Sequence, residues 1–389
     1  MTKVIYLDNN ATTAVALEVF EAMKPFLTEE YGNPSSMHTF GGKIRKNIDA
    51  SRQAVCDLLG ANDPSEIIFT SCGTESDNTA IIGTLRSYPE KKHIITTKVE
   101  HPAVLSLARY LETQGYRLTY LDVDEGGMLD LNELKSAIDN DTVLISIMHA
   151  NNETGVIFPI EEIAEIARMR NIAFHTDAVQ SVGKIPFKLN QIPIDILSLS
   201  GHKLHAPKGI GALYVRKGTK FSPFLIGGHQ ELNRRGGTEN VASIVGLGVA
   251  CELAKRNLED ENTRVRKLRD KLENAIVEKI SNVRVNGNKN SRLPNTSNIG
   301  FEFIEGESIL LKLDEKGIAA SSGSACTSGS LMPSHVLRAM GIPFTFIQGS
   351  IRFSLSCYNK EEEIDQVIEW LPAIIKNLRD ISPFTNKKS

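Results

Sequence analysis

The five cysteines of this 389-residue chain, Cys56, Cys72, Cys251, Cys326 and Cys357, are scattered, odd in number and without a C-x-x-C pair. A disulfide framework and a clustered zinc site are thereby disfavoured, and reduced thiols in a cytoplasmic protein are the expectation. A surplus of charge is missing too. The 44 Lys and Arg against 47 Asp and Glu leave a formal net charge of −3, which gives no pull toward nucleic acid or an anionic membrane. No apolar run is long enough to span a bilayer. The opening MTKVIYLDNN has an acid, Asp8, where a signal peptide needs an apolar core. No G-x-G-x-x-G follows an early strand, so a nicotinamide oxidoreductase on a dinucleotide fold is disfavoured. There is no internal repeat. What is left is a soluble globular composition, 41% hydrophobic and 23% charged, at a length that suggests one large and one smaller domain.

Apolar runs and helical patterns alternate from residue 66 onward. Strand-like Glu66–Ser71, His93–Lys98, Leu118–Val123 and Thr142–Ala150 are each followed by a helical pattern, and strands ending near Asp177 and Leu199 come next. Such alternation predicts an α/β fold with a mainly parallel sheet, its ligand groups collecting at the carboxyl ends of the strands. Asn9, Asn10, Thr12 and Thr13 are read as caps for a helix over Ala14–Leu27. Long helices over Val241–Asn257 and Arg264–Ile280 lead into a more mixed C-terminal pattern, with the boundary near Glu259. The expected division is a large domain over 15–258 and a smaller one made of 1–14 and 259–389.

The stretch 194–215, IDILSLSGHKLHAPKGIGALYV, places Lys203 just past the end of an apolar strand. A lysine between Gly201 and a proline-glycine turn suits an amine that must reach a carbonyl and form a Schiff base. A solvated loop lysine is the plain alternative. Asp177, at the end of IAFHTDAVQ, tips the balance. A lysine for an aldehyde and an aspartate for a ring nitrogen suggest pyridoxal phosphate. FTSCGTES (69–76) runs strand, turn, helix, so the N–H groups of Gly73 and Thr74 could receive a phosphate. A simple capping motif would look the same. His101, after a strand and before a proline, could stack on a ring and move protons, or be a surface residue. Asn152 at another strand end could reach the ring or a substrate carboxylate. Gln180 could bond the ring hydroxyl, and Ser200 and His202 could add phosphate donors. His175 reads as a packed core histidine.

In the C-terminal part, AASSGSACTSGSLMPSHVLRAMG (319–341) surrounds Cys326 with small residues that cannot hold a loop by packing. The expectation is a mobile catalytic-cysteine loop over about 321–333, with a plain linker as the alternative. Arg352, in GSIRFSLSCYN, could hold an α-carboxylate through two parallel hydrogen bonds. Cys56 and Cys357 look like packing residues, and Cys72 looks buried.

YLDNNATT, YGNPSS, TSCGTES, EHPAV, NNETG, HTDAVQ, SGHKLHAPKG, RRGGTENV, SSGSACTSGS and IRFSLS stand in this order from about Tyr6 to Ser382. In these motifs the chain resembles the cysteine desulfurases, most of all their NifS branch, with the housekeeping IscS type close behind. The resemblance implies a PLP-dependent transferase of fold type I, aspartate-aminotransferase-like, with a seven-stranded mainly parallel sheet and a smaller α+β domain. It implies pyridoxal 5′-phosphate held by Lys203, Asp177, Gln180 and His101, with Gly73, Thr74, Ser200 and His202 on the phosphate. Thr238 would reach the phosphate of the other subunit, so a homodimer is implied. Asn152 and Arg352 would hold the carboxylate of L-cysteine. Cys326 would accept the sulfur and pass it to a NifU- or IscU-like scaffold for iron–sulfur assembly, tied to nitrogen fixation in the NifS branch. No resident metal is implied, only a transient cluster at Cys326 shared with a scaffold. A selenocysteine lyase or another fold-type I enzyme is the alternative.

Overall fold

The computed structural model describes residues 4–322 and 333–383. Its centre is a seven-stranded sheet in the order Ile67–Thr70, Gly211–Val215, Ile196–Ser200, Ala173–Asp177, Thr142–Ser146, His93–Thr97, Arg117–Leu121. Every pairing is parallel except the two made by Gly211–Val215. That strand follows Ile196–Ser200 with only Gly201–Ile210 between them, too short a link for a helical crossover, so it returns antiparallel. Residues on both faces of Ile196–Ser200 and Thr142–Ser146 are buried. This is why their apolar residues do not keep to one face, and why the buried Ser146 and Ser198 hydroxyls need the His175 ring as partner.

Two further sheets lie toward the chain ends. Ser350–Ser354, Thr296–Phe301 and Val283–Asn286 form an antiparallel triplet in that order, and Ile5–Tyr6 pairs in parallel with Ile318–Ala319. The larger core gathers residues on the seven-stranded sheet and its helices. A second cluster joins Ile5 and Leu7 to Val265, Phe301, Phe353, Leu371 and their neighbours. Val336, Leu337, Met340, Ile342 and Ile347 belong to the larger cluster. The chain after residue 333 therefore leans on the large sheet before Ser350–Ser354 returns it to the triplet.

Two local expectations are corrected. The first helix begins at Leu17, and Ala16 occupies its cap without a side-chain bond. Asn9 to Thr13 do not cap it, because tertiary partners take those polar groups. The two long helices are continuous, Val241–Asp260 and Arg266–Lys279 being joined by a π turn over Glu261–Val265. No glycine or proline lies there to stop the helix, and a π turn absorbs extra residues without breaking it. Among the described residues no helix is long and apolar enough to cross a membrane.

Candidate active site

Ala173–Asp177 and Ile196–Ser200 are neighbours, with Asp177 paired to Ser198. Their carboxyl ends therefore deliver Asp177 and the turn Gly201–Lys203 to the same place. There they wall a cavity of about 250 Å3, together with Gly73, Thr74, His101 and Asn152. Gln180, Ser200, His202 and Arg352 complete the set of sequence-derived residues on its wall. Thr238 stands apart, in a cleft beside Thr70 and Ser71. Cys326 lies outside the described residues.

Asp177 is buried, and its Oδ1 accepts from the Val179 N–H at 2.9 Å. Burial pushes its carboxyl up to about 6, against the pull of that hydrogen bond and of the Lys203 charge. Lys203 Nζ donates to the carbonyls of Asn10 and Ala11, both at 2.6 Å. Gln180 Nε2 donates to the same Asn10 carbonyl at 3.0 Å. Asn10, read from sequence as a helix cap, is thus the hinge point for two site residues. Thr12 Oγ1 lies 3.1 Å from His202 Nδ1. The signal was present in the sequence: one helix needs one cap residue, and four polar residues in five positions is a surplus.

His101 caps the helix Pro102–Thr113, its Nδ1 accepting from the Ala103 N–H at 3.1 Å. A ring nitrogen that accepts cannot carry the proton, so neutral His101 holds it on Nε2. Burial first, then the charges of Lys203 and His335, bring its pKa down to about 4. His202 is likewise lowered to about 4, by burial and then by Lys203, Lys208 and His101. Both rings are therefore neutral at pH 7.

The cavity holds one residue to which the sequence drew no attention, Asp77, and one read only as buried, Cys72. Asp77 is fully buried on the helix Gly73–Ser87, with Oδ1 unpaired and 3.6 Å from His175 Nε2. Burial and then the nearby Asp177 raise its pKa well above the carboxylate range. Its place one turn after Gly73, on the inward face, was the available clue. Cys72 is only half-buried, contrary to expectation, and its Sγ caps the same helix by accepting from the Glu75 N–H at 3.4 Å. His175 sits in the core between Ser146 and Ser198 hydroxyls, each at 2.9 Å.

The residues fit a phosphate and a pyridine ring. Helix Gly73–Ser87 opens onto the cavity, and the first N–H groups of a helix have no acceptor within it. A Cβ at position 73 would stand 2.9 Å from Val179 Cγ2 and 3.4 Å from Ser200 Cβ, so glycine keeps that cradle open. Ser200 Oγ and Gln180 Oε1 are buried without a hydrogen-bond partner. Unpaired buried polar atoms are costly, and both face a space that an anionic, ring-bearing ligand would fill. Arg352 is buried on Ser350–Ser354. Its Nη1 donates to the Asn152 carbonyl at 3.0 Å and its Nη2 to Asp8 Oδ1 at 2.6 Å.

Residues 5–367 match the model of the class-V aminotransferase family. "Cysteine desulfurase 1" of Trichormus variabilis is 60% identical over 386 residues, covering 99% of this chain and 96% of that protein. "Cysteine desulfurase NifS" of Azotobacter vinelandii is 58% identical, covering 98% of this chain and 94% of that protein. Among solved structures, a "NifS-like protein" superposes with a TM-score of 0.91 at 40% identity, covering 97% of this chain and 100% of its own. A structure described as SspA in complex with cysteine gives 0.81 at 38% identity, covering 91% and 99%.

Proposed function

The chain belongs to the class-V aminotransferase family, and from that premise we propose that it is a cysteine desulfurase whose reaction runs in the cavity between Lys203 and Asp177. It is a pyridoxal-phosphate enzyme. The observation that carries the proposal is the meeting of Lys203, Asp177 and the unpaired Ser200 hydroxyl on one wall at the strand ends. When bound, the cofactor supplies an aldehyde to the lysine and a protonated ring that accepts electron density from the substrate carbon.

The protein's own groups do the rest. Lys203 would hold the aldehyde carbon, and its free amine would take the α-proton of the substrate. Asp177 keeps its negative charge against a protonated ring nitrogen. Gly73, Thr74, Ser200 and His202 hold the phosphate, Gln180 the ring oxygen. His101 would pack on the ring, with its Nε2–H available as a hydrogen-bond donor. Asn152 and Arg352 hold the L-cysteine carboxylate. The Cys326 thiolate attacks the substrate sulfur. An S–S bond forms as the Cβ–S bond breaks, the electron pair moves to Cβ, which takes a proton, and Lys203 returns the α-proton to Cα as alanine leaves. Cys326 retains a persulfide. Its transfer to a NifU-like scaffold, serving nitrogenase assembly, is the acceptor the NifS likeness favours.

The domain division proposed is 15–258 against 1–14 and 259–389. A homodimer is part of the reading. It is supported by Ile226 and Leu232, which are 84% and 68% exposed on the segment that leads to Thr238. That segment is held from beneath by Arg52 on Glu231 at 2.6 and 2.8 Å, and by Arg235 on Glu75. The test uses two variants. Lys203→Ala should lose the visible band that borohydride removes from the parent, along with turnover. Cys326→Ala should still bind cysteine with a spectral change yet release little sulfide. Full sulfide production by Cys326→Ala would overturn the nucleophile assignment.

A further inference from the structure

Asp8 is absent from every role assigned above, yet it makes the shortest contact to the Arg352 guanidinium, 2.6 Å from Oδ1 to Nη2. The pair is poorly hydrated, with side chains 3% exposed for the arginine and 19% for the aspartate. Arg352 Nη1 is engaged by the Asn152 carbonyl, and its Nε is buried without a partner. Asp8 itself is fixed by the chain. The bridge from Asp8 to Ser354, the Asn9 N–H bonded to the Ser354 carbonyl, and the Asn10 N–H bonded to Ser354 Oγ bind this segment to the arginine's own strand.

We propose that Asp8 is a resident carboxylate that competes with the amino-acid carboxylate for Arg352, and so sets how weakly substrate and product are held. This rests on the reading that Arg352 receives the substrate carboxylate. The argument is one of charge. A guanidinium taken out of water needs an anion, and in the resting protein Asp8 supplies it. An incoming carboxylate must share that cation with a second negative charge or displace it, and either weakens ground-state binding. Substrate and product carry the same carboxylate, so both are weakened alike. Product leaves faster, at the expense of a higher KM. Asp8 thus sets affinity through Arg352 and does not itself react.

Asp8→Asn keeps the shape and removes the charge. The cation then lacks its anion, and a ligand carboxylate should bind more tightly. A charge-assisted hydrogen bond of ordinary strength corresponds to roughly 10-fold in affinity. Propionate, which has the carboxylate but neither amine nor thiol, is titrated calorimetrically into cofactor-free protein at constant ionic strength. Its Kd should fall about 10-fold in Asp8→Asn, and in Asp8→Ser should the first variant fold poorly. Asp8→Glu should stay near the parent. In the holoenzyme, KM for L-cysteine and the inhibition constant for L-alanine should fall together by a similar factor. Arg352→Ala is the control. If it leaves propionate and cysteine binding unchanged, the carboxylate role of Arg352 fails and the inference with it. If Arg352→Ala weakens binding while Asp8→Asn leaves it unchanged or weaker, the Arg352 assignment stands and the competition is refuted.

Discussion

Asp177→Asn isolates the tension between stability and chemistry in this fold. The Asp177 carboxyl is raised from 3.8 to about 6, chiefly by burial. A folded group that binds its proton more tightly than the unfolded chain makes stability fall as pH rises. The loss begins near the unfolded value, about 4, and is complete above the folded value, about 6. Each pKa unit is worth 1.36 kcal/mol, so the ionised carboxylate costs cofactor-free protein on the order of 3 kcal/mol at pH 8 and about half of that at pH 5. Asparagine cannot ionise, and its carbonyl can still accept from the Val179 N–H. The stability of Asp177→Asn minus that of the parent should therefore rise between pH 5 and pH 8, by roughly 1 to 2 kcal/mol. Equilibrium urea unfolding of both cofactor-free proteins at the two pH values measures it. Glu100, at about 8, is raised chiefly by burial and in part by the Asp177 charge, so it is eased in the variant and adds to the rise in the same direction. Asp77 is coupled to the site and reduces the slope only if its proton moves with that of Asp177. A difference that is flat with pH, or that shrinks toward pH 8, would refute the reasoning. The same variant should bind pyridoxal phosphate more weakly, because the cost exists to meet a ring proton.

Two more outcomes follow from single contacts. His101→Asn can still cap Pro102–Thr113 but offers no ring. It should keep the parent's unfolding midpoint to within a few degrees and lose turnover by roughly 10-fold or more, the scale of a lost ring contact and hydrogen bond. In the parent, kcat against pH should show no His101 titration between pH 6 and 8, since that ring is held near 4. Ser200→Ala removes a buried hydroxyl that has no protein partner. It should leave apoprotein stability near the parent's and weaken pyridoxal phosphate roughly 10-fold in a spectroscopic titration, as loss of a hydrogen bond to a charged group does. Equal destabilisation with and without cofactor would show that the hydroxyl serves packing alone.

The parallel sheet and its order of elements were legible along the chain because strands buried on both faces are rich in apolar residues, and helices must show one apolar stripe. Lys203, Asp177 and Gly73 were legible for a related reason. Each is a residue type that packing does not ask for at a strand end, so its presence there points to chemistry. Cys326 was read the same way, from small residues that cannot form a core. Tertiary structure decided what no local rule carries. Asp8 and Asn10 look like the polar prelude to a helix, and only folding brings them against Arg352, Lys203 and Gln180, more than 160 residues away. Asp77 looks like one more acid in a helix start until the helix turns it inward beside Asp177. Local propensity depends on neighbours in sequence. Charge and desolvation depend on neighbours in space, and the functional pKa values of this site were set by the latter.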